Sequence, residues 1–482
     1  MAYDHGVKIL ETETPLLVPV QADSALPVAV GIAPVHKLED PSVAVNRPSL
    51  VFSYGEGVAD MGFSYDWKHF NLSEMLYSQF RLFAISPLVM INVWDPMQGA
   101  QDFAEPDLSI INGVATIEDP MAMISTVKVV NPNSGFYVRG EDYSLHYDDD
   151  ENLLITVIEG GAIPDTATSL SVTYKVADPS VVTDNTIAGG VSPTNARTGI
   201  ELITEVFLKF RKIPCFCLSP GWSHIPKIAA LLKAKVKKLG YNFTGIALCD
   251  LPTTGPCANY RNLPEWKNLN GYVDPYMFVD WPCVAVGDLV FHASTILAGM
   301  YGMVDAKNDG IPFEQASNKT LSMTGMCDED GNTIPMLDDA QANYLNENGI
   351  GTFINFDGWR AWGVETSAFP GNTDIKDYER SVRRMFCYVE NVVNRTFRQE
   401  VDKPIRRLLI DKALLTGNEY LNSLKARQAI IGGYVEFLRA DNNNQGIMSG
   451  KLYFRVHLTP PNAAKAITFD FMYDPELLKA LF

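Results

Sequence analysis

The sequence predicts a multidomain α+β protein: an α/β, sandwich-like core, an inserted all-β domain and a carboxy-terminal helices-plus-sheet domain, with extended terminal arms. Three observations carry this. Apolar strands alternate with helical periods from residue 26 to 95 and again after 199; between 105 and 177 short alternating strands replace the helical period; after 378 helical periods are followed by segments of period two. A chain of 482 residues also exceeds what one core ordinarily holds. The boundaries read as an arm over 1–23, an α/β domain over 24–104 and 178–345, the β insertion over 105–177 and a carboxy-terminal domain over 346–482.

Residues 1–23 carry VKIL and PLLVPV, extended segments punctuated by Pro15 and Pro19. Such a stretch is either a frayed terminus or edge strand, or an arm that adds a strand to a sheet edge of another subunit. Its candidate contacts are Val7, Ile9, Leu16 and Val18. Next, PVAVGIAPV, FNLSEMLYSQFRLFAI and PLVMINVW read as strand, helix and strand. After the insertion the alternation resumes with helix ELITEVFLKFRKI, strand PCFCLSP, helix HIPKIAALLKAKVKKLG, strand FTGIALCDL and a helix through Ser294 to Met300. Within the insertion, TVKVV, GFYVRG, YSLHY, LLITVI and SLSVTYKV are expected strands.

The carboxy-terminal part opens with FINFDGWRAWGVET, two short buried segments joined by a turn at Asp357-Gly358. A helix over 378–399 buries Val382, Met385, Phe386, Val389, Val392, Val393 and Phe397 at helical spacing. Arg380, Arg384, Arg395 and Arg398 share another face with Cys387 and Asn391. A second helix is expected from Pro404, burying Ile405, Leu408 and Leu409, and a third over 419–428. Segments 430–438, 451–458 and 467–473 then read as strands. In the last of these, Ile467, Phe469 and Phe471 are candidate inter-subunit contacts.

A formal charge of −18 argues against non-specific nucleic-acid binding by the whole chain. The charge is uneven. Residues 105–177 hold 12 acidic and 3 basic side chains, whereas 377–427 hold 11 basic and 7 acidic. The arginine stripe is therefore either an ordinary solvated face or a surface for an acidic partner. Seven scattered cysteines and no apolar leader point to free thiols in a reducing compartment. The most apolar window, 278–304, is interrupted by Asp280, Asp288 and His292, so it reads as a buried strand-to-helix unit without membrane insertion.

Catalytic and metal patterns are weak. The chain has no phosphate loop, no nucleophile elbow and no His-Glu-x-x-His helix. Ser219 and His224 could pair as nucleophile and base, but no acid is placed beside them. Cys215, Cys217, Cys249 and Cys257 lack zinc-knuckle spacing, and Asp441 to Gly446 starts like a calcium loop yet has Leu452 where a bidentate Glu is required. The acidic run Asp148 to Glu151 reads as a solvated turn. No catalytic residue, cofactor or metal is expected.

INFDGWRAWGVET, RSVRRMFCYVE, IIGGYVEF, the DNNN turn, GKLYFRVHLTPP and ITFDFMYD together resemble the carboxy-terminal domain of contractile tail sheath proteins of myophages and R-type bacteriocins. HGVKILETET with VAVGIAPV, GFYVRGEDYSLHYDDDENLLITVI with VTYKVADPS, IPCFCLSPGWSH, and DWPCVAVGDLVFHASTILAGMYGMVDAKNDGIPFEQASNKT resemble further sheath blocks in the expected order. The resemblance implies a non-enzymatic subunit that polymerises helically around a tail tube and contracts to drive the tube through a cell envelope. It favours the arm reading at both termini and makes the tube the partner for Arg380, Arg384, Arg395 and Arg398. It also implies baseplate and tail terminator partners, no direct nucleic-acid contact, and a place in a virion tail or tail-like particle assembled in the host bacterial cytoplasm. The rival readings are a tail-associated α/β hydrolase with a β insertion and a non-contractile baseplate component.

Overall fold

The computed structural model describes residues 20–21, 23–133 and 135–481. At its centre lies a six-stranded sheet in the spatial order Met277–Asp280, Ile246–Asp250, Phe216–Leu218, Pro27–Gly31, Leu88–Asn92 and Arg47–Val51. The first five strands run parallel, and Arg47–Val51 closes the edge antiparallel. Strands covered on both faces must be apolar throughout. VAV, LVMI, FCL, IALC and MFV meet that need and are buried residue by residue.

Helices Pro226–Val236 and Ala293–Lys307 pack against the sheet. The helix expected between strands Pro27–Gly31 and Leu88–Asn92 is Asn71–Tyr77, continued by a π turn over Ser78–Leu82. The one expected over 201–213 splits into a 3-10 turn, Gly199–Thr204, and a short helix, Glu205–Phe210. Helices Tyr54–Met61 and Asp339–Asn346 were not foreseen. Ser53 caps one, and an Asp338/Gln341 capping box closes the other. The apolar window is indeed strand, hairpin and buried helix, and among the described residues no helix is long and apolar enough to cross a membrane.

The insertion is a six-stranded sheet in the order Lys128–Val129, Ser169–Val176, Gln101–Ile111, Val114–Ile117, Leu153–Val157 and Tyr143–Tyr147. All of its pairings are antiparallel. It has its own core around Ile117, Val129, Leu153, Ile155 and Val172. GFYVRG, expected as a strand, forms only isolated bridges. Asn131 N–H turns back to the Gly135 carbonyl, and the Val138 N–H is taken by the Asp142 carboxylate at 2.7 Å, so little is left for a ladder.

Downstream, strands Thr352–Asn355 and Trp359–Trp362 pair across a turn in which Asp357 and Gly358 have φ of 48° and 103°. Their core residues, Phe353 and Ala361, belong to the large α/β core rather than to the carboxy-terminal unit. The reason is local: Gly351 bridges to Asp280 and accepts the Trp281 N–H, so the hairpin grows from the sheet edge. A separate core of Met385, Val389, Leu421, Leu424, Ala429 and Ile430 organises the chain that follows.

That last unit differs from expectation in three ways. One helix, Arg407–Ala426, replaces the two expected after Pro404. Leu408 is 76% exposed and Ile405 is also exposed, because only the face with Gly417, Leu421 and Leu424 meets strand Gly432–Glu436. The second strand begins at Arg455, since the Asn442 side chain accepts the Tyr453 N–H and donates to its carbonyl, both at 2.8 Å, in place of ladder bonds. Finally, 467–473 has no strand partner among the described residues: the sheet has two strands, Gly432–Glu436 and Arg455–Thr459.

Candidate assembly interface

Helix Arg380–Phe397 joins the α/β core to the carboxy-terminal unit. Its arginines divide. Arg380 is 1% exposed: Nη1 donates to Asp280 Oδ1 at 2.9 Å, Nε to the Glu365 carbonyl at 2.7 Å and Nη2 to the Val279 carbonyl at 3.1 Å. Arg384 is likewise buried, forked onto both oxygens of Asp305, with its guanidinium 4.4 Å from the Tyr301 ring. This corrects the expectation that Arg380 and Arg384 meet the tube. Helical spacing showed that they share a face but not that buried Asp280 and Asp305 wait opposite it. Burial chiefly, opposed by Arg380, raises the Asp280 pKa.

Arg395 and Arg398 remain exposed. Arg398 lies over Tyr241 at 4.5 Å, and Arg395 borders a cleft of about 830 Å³ with Arg211, Thr244 and Asn391. Asn391 holds both polar groups of the Thr244 backbone, fixing this end of the helix on the 241–244 loop.

Sequence reasoning missed the joint that seats the insertion. Glu151, expected in a solvated turn, reaches the α/β core: Oε2 accepts from Lys37 Nζ and Ser64 Oγ at 2.7 Å, and Oε1 from the Tyr65 N–H at 2.8 Å. His36, fully buried, places Nε2 2.9 Å from the Pro120 carbonyl. Burial pushes the His36 pKa down to about 3 against the pull of that carbonyl, so the ring is neutral and Nε2–H is the donor. In sequence Glu151 is only the end of an acidic run; its left-handed backbone and its partners show only in the fold.

The carboxy-terminal unit presents an apolar groove of about 530 Å³ lined by Phe397, Ile405, Leu409, Leu452, Phe454 and Val456. Beside it, Asn418 on the Arg407–Ala426 helix bonds to both backbone groups of Val435. A two-stranded sheet alone is marginal in water, so this support matters. Ile467, Phe469 and Phe471 follow on an exposed segment without helix or strand, and Phe471 is 92% exposed. Val7, Ile9, Leu16 and Val18 lie outside the described residues.

The weak catalytic and metal patterns resolve into structural roles. Ser219 Oγ donates to the Val30 carbonyl, while His224 Nδ1 lies 3.7 Å from Glu329. Cys215 Sγ donates to the Ile213 carbonyl, Cys217, Cys249 and Cys257 are buried thiols, and among the described residues no cluster of His, Cys, Asp or Glu is arranged to hold a metal ion. Asp441 pairs with Arg455, and Asn443 caps the short helix Asn444–Met448.

No protein-family model matches the chain. It is 26% identical over 495 residues to the tail sheath protein of Burkholderia phage BcepMu, covering 99% of this chain and 98% of that one. In fold it is similar to the anti-feeding prophage helical sheath in the contracted state, with a TM-score of 0.58, 15% identity, and coverage of 98% of this chain and 100% of that chain. It also matches the sheath complex of the PVC extracellular contractile injection system in the contracted state, with a TM-score of 0.57, 14% identity and 99% of each chain. The chain is thus similar from end to end in sequence to a phage tail sheath protein, and in fold to two contractile sheaths.

Proposed function

We infer that the chain is a structural subunit of a contractile tail sheath, polymerising helically around a tail tube and contracting to drive it through a cell envelope. The observation that carries this is the co-linear, full-length likeness to a tail sheath protein. Each subunit needs only to bury more, or better matched, surface in the contracted lattice than in the extended one, and the difference multiplies over the copies. No catalysis is required. The α/β core and the docked insertion supply bodies that move as units; extended segments supply links that persist while they move.

In this reading Ile467, Phe469 and Phe471 lie on a neighbouring copy, where a strand added to a sheet edge gains main-chain hydrogen bonds and register from alternate side chains. The amino-terminal candidates Val7, Ile9, Leu16 and Val18 play the matching part. Arg395 and Arg398 are the remaining tube-contact candidates, and the acidic insertion belongs on the outer surface. Baseplate and terminator proteins cap the sleeve in a virion tail or tail-like particle assembled in the host cytoplasm. The test is a triple variant, Ile467→Ser, Phe469→Ser and Phe471→Ser. It should remain a folded monomer that forms no tubes; normal tubes from this variant would refute the arm assignment.

A further inference from the structure

Residues 460–465 connect the last strand to the exposed carboxy-terminal segment, and no ladder sets their course. Strand Arg455–Thr459 pairs with Gly432–Glu436 in the small unit. A few residues later the chain is held instead at the start of the Arg380–Phe397 helix. The Ala463 N–H donates to Glu379 Oε1 at 2.7 Å, and Lys465 Nζ donates to Glu365 Oε1 at 2.6 Å. Lys465 Nζ also sits 4.7 Å from the Tyr378 ring centroid.

Glu365 and Glu379 face each other across an antiparallel bridge, so both carboxylates project from one seam, which leads directly into Arg380. Pro460 at the root of the strap is buried, but residues 461–465 are only half-buried or exposed. A cavity of about 260 Å³ remains between Pro461, Asn462 and Ala463 on one side and Phe313, Gln315 and Ser381 on the other. Glu379 is 1% exposed, and burial raises its pKa against the Ala463 N–H and Lys465. A carboxylate in such a wall needs its acceptor capacity used, and the strap uses it. Beyond Lys465, residues 466–480 are all exposed.

We propose that Glu365 and Glu379 are positioning residues that clamp the root of the carboxy-terminal arm, so that the free arm starts at residue 466 and leaves from the seam before the Arg380–Phe397 helix. The use of the clamp rests on the sheath reading; its existence rests on the contacts alone. Because Arg380 ties the same seam to Asp280, movement of the α/β core carries the arm root with it. The small sheet does not set the arm's direction.

Amide hydrogen exchange of the full-length monomer, followed by mass spectrometry, tests this. Peptides over 460–466 should exchange on the order of tenfold more slowly than peptides over 467–474, since clamped backbone opens less often. Glu379→Ala should abolish the difference, while Glu379→Gln, which keeps an oxygen acceptor for the Ala463 N–H, should retain it. Glu365→Gln and Lys465→Met create no buried cavity at Glu379, and each should reduce the protection several-fold. Equal exchange of the two regions in the unaltered chain, or protection unchanged in both Glu379→Ala and Lys465→Met, would overturn the clamp. Failure of the unaltered chain to form tubes would instead overturn the sheath reading and leave the exchange result standing.

Discussion

Replacing Arg380 with Met removes the positive half of a buried pair, takes the cation off the Phe278 ring and leaves Asp280, 3% exposed, in the protein interior without its counter-charge. Breaking one side of a buried ion pair costs about 3–5 kcal/mol, because the remaining charge stays desolvated. The Glu365 carbonyl also loses the Arg380 Nε donor, and the Val279 carbonyl keeps only the Gly351 N–H. The total is a large part of the 5–15 kcal/mol that ordinarily separates folded from unfolded states. Urea unfolding of the monomer should show it as a lowered midpoint. Adding Asp280→Leu should recover most of the loss, since removing both charges can be neutral or stabilising. Arg398→Ala, which removes an exposed cation over Tyr241, should cost less than about 1 kcal/mol. A loss below about 1 kcal/mol for Arg380→Met, or no recovery in the double variant, would refute the claim that this helix is bolted to the sheet by its arginines.

Gly351→Ala attacks the same joint from the other side. A Cβ at that position would lie 1.9 Å from Asp280 Oδ1 and 2.8 Å from Arg380 Nη2, so the pair must separate, and thermal unfolding should show a drop equivalent to several kcal/mol, on the order of the buried-pair cost. His36 predicts a pH effect. Its folded pKa is near 3 and its ordinary value is 6.5, so the unfolded chain takes up a proton that the folded chain refuses. Stability from this group is complete above 6.5 and is lost as pH falls towards 3. At pH 5 the loss is about 2 kcal/mol. His36→Gln should lack that part of the acid sensitivity in unfolding titrations; an unchanged profile would exclude His36 as its source.

Period and composition made much of this molecule legible. Continuous apolar strands such as VAV and IALC announce a sheet covered on both faces, and the turn at Asp357-Gly358 is visible because few other residues accept its geometry. What stayed hidden depends on partners distant in sequence. Arg380 and Arg384 share a helical face as solvated arginines would, and only the fold brings Asp280 and Asp305 to them. Glu151 looked like the end of a surface acidic run until Lys37 and Ser64 were placed beside it. The 467–473 segment has strand periodicity but finds no edge among the described residues of its own chain, which is how a strand completed by another copy would look.

Electron microscopy of the purified full-length chain, alone and with its cognate tail tube, tests the central claim most directly. Hollow helical tubes are expected from the chain alone and a sleeve on the tube when both are present, with one subunit's residues 466–474 resolved against a neighbour. Discrete, non-helical particles under both conditions would contradict it and favour a baseplate-type component.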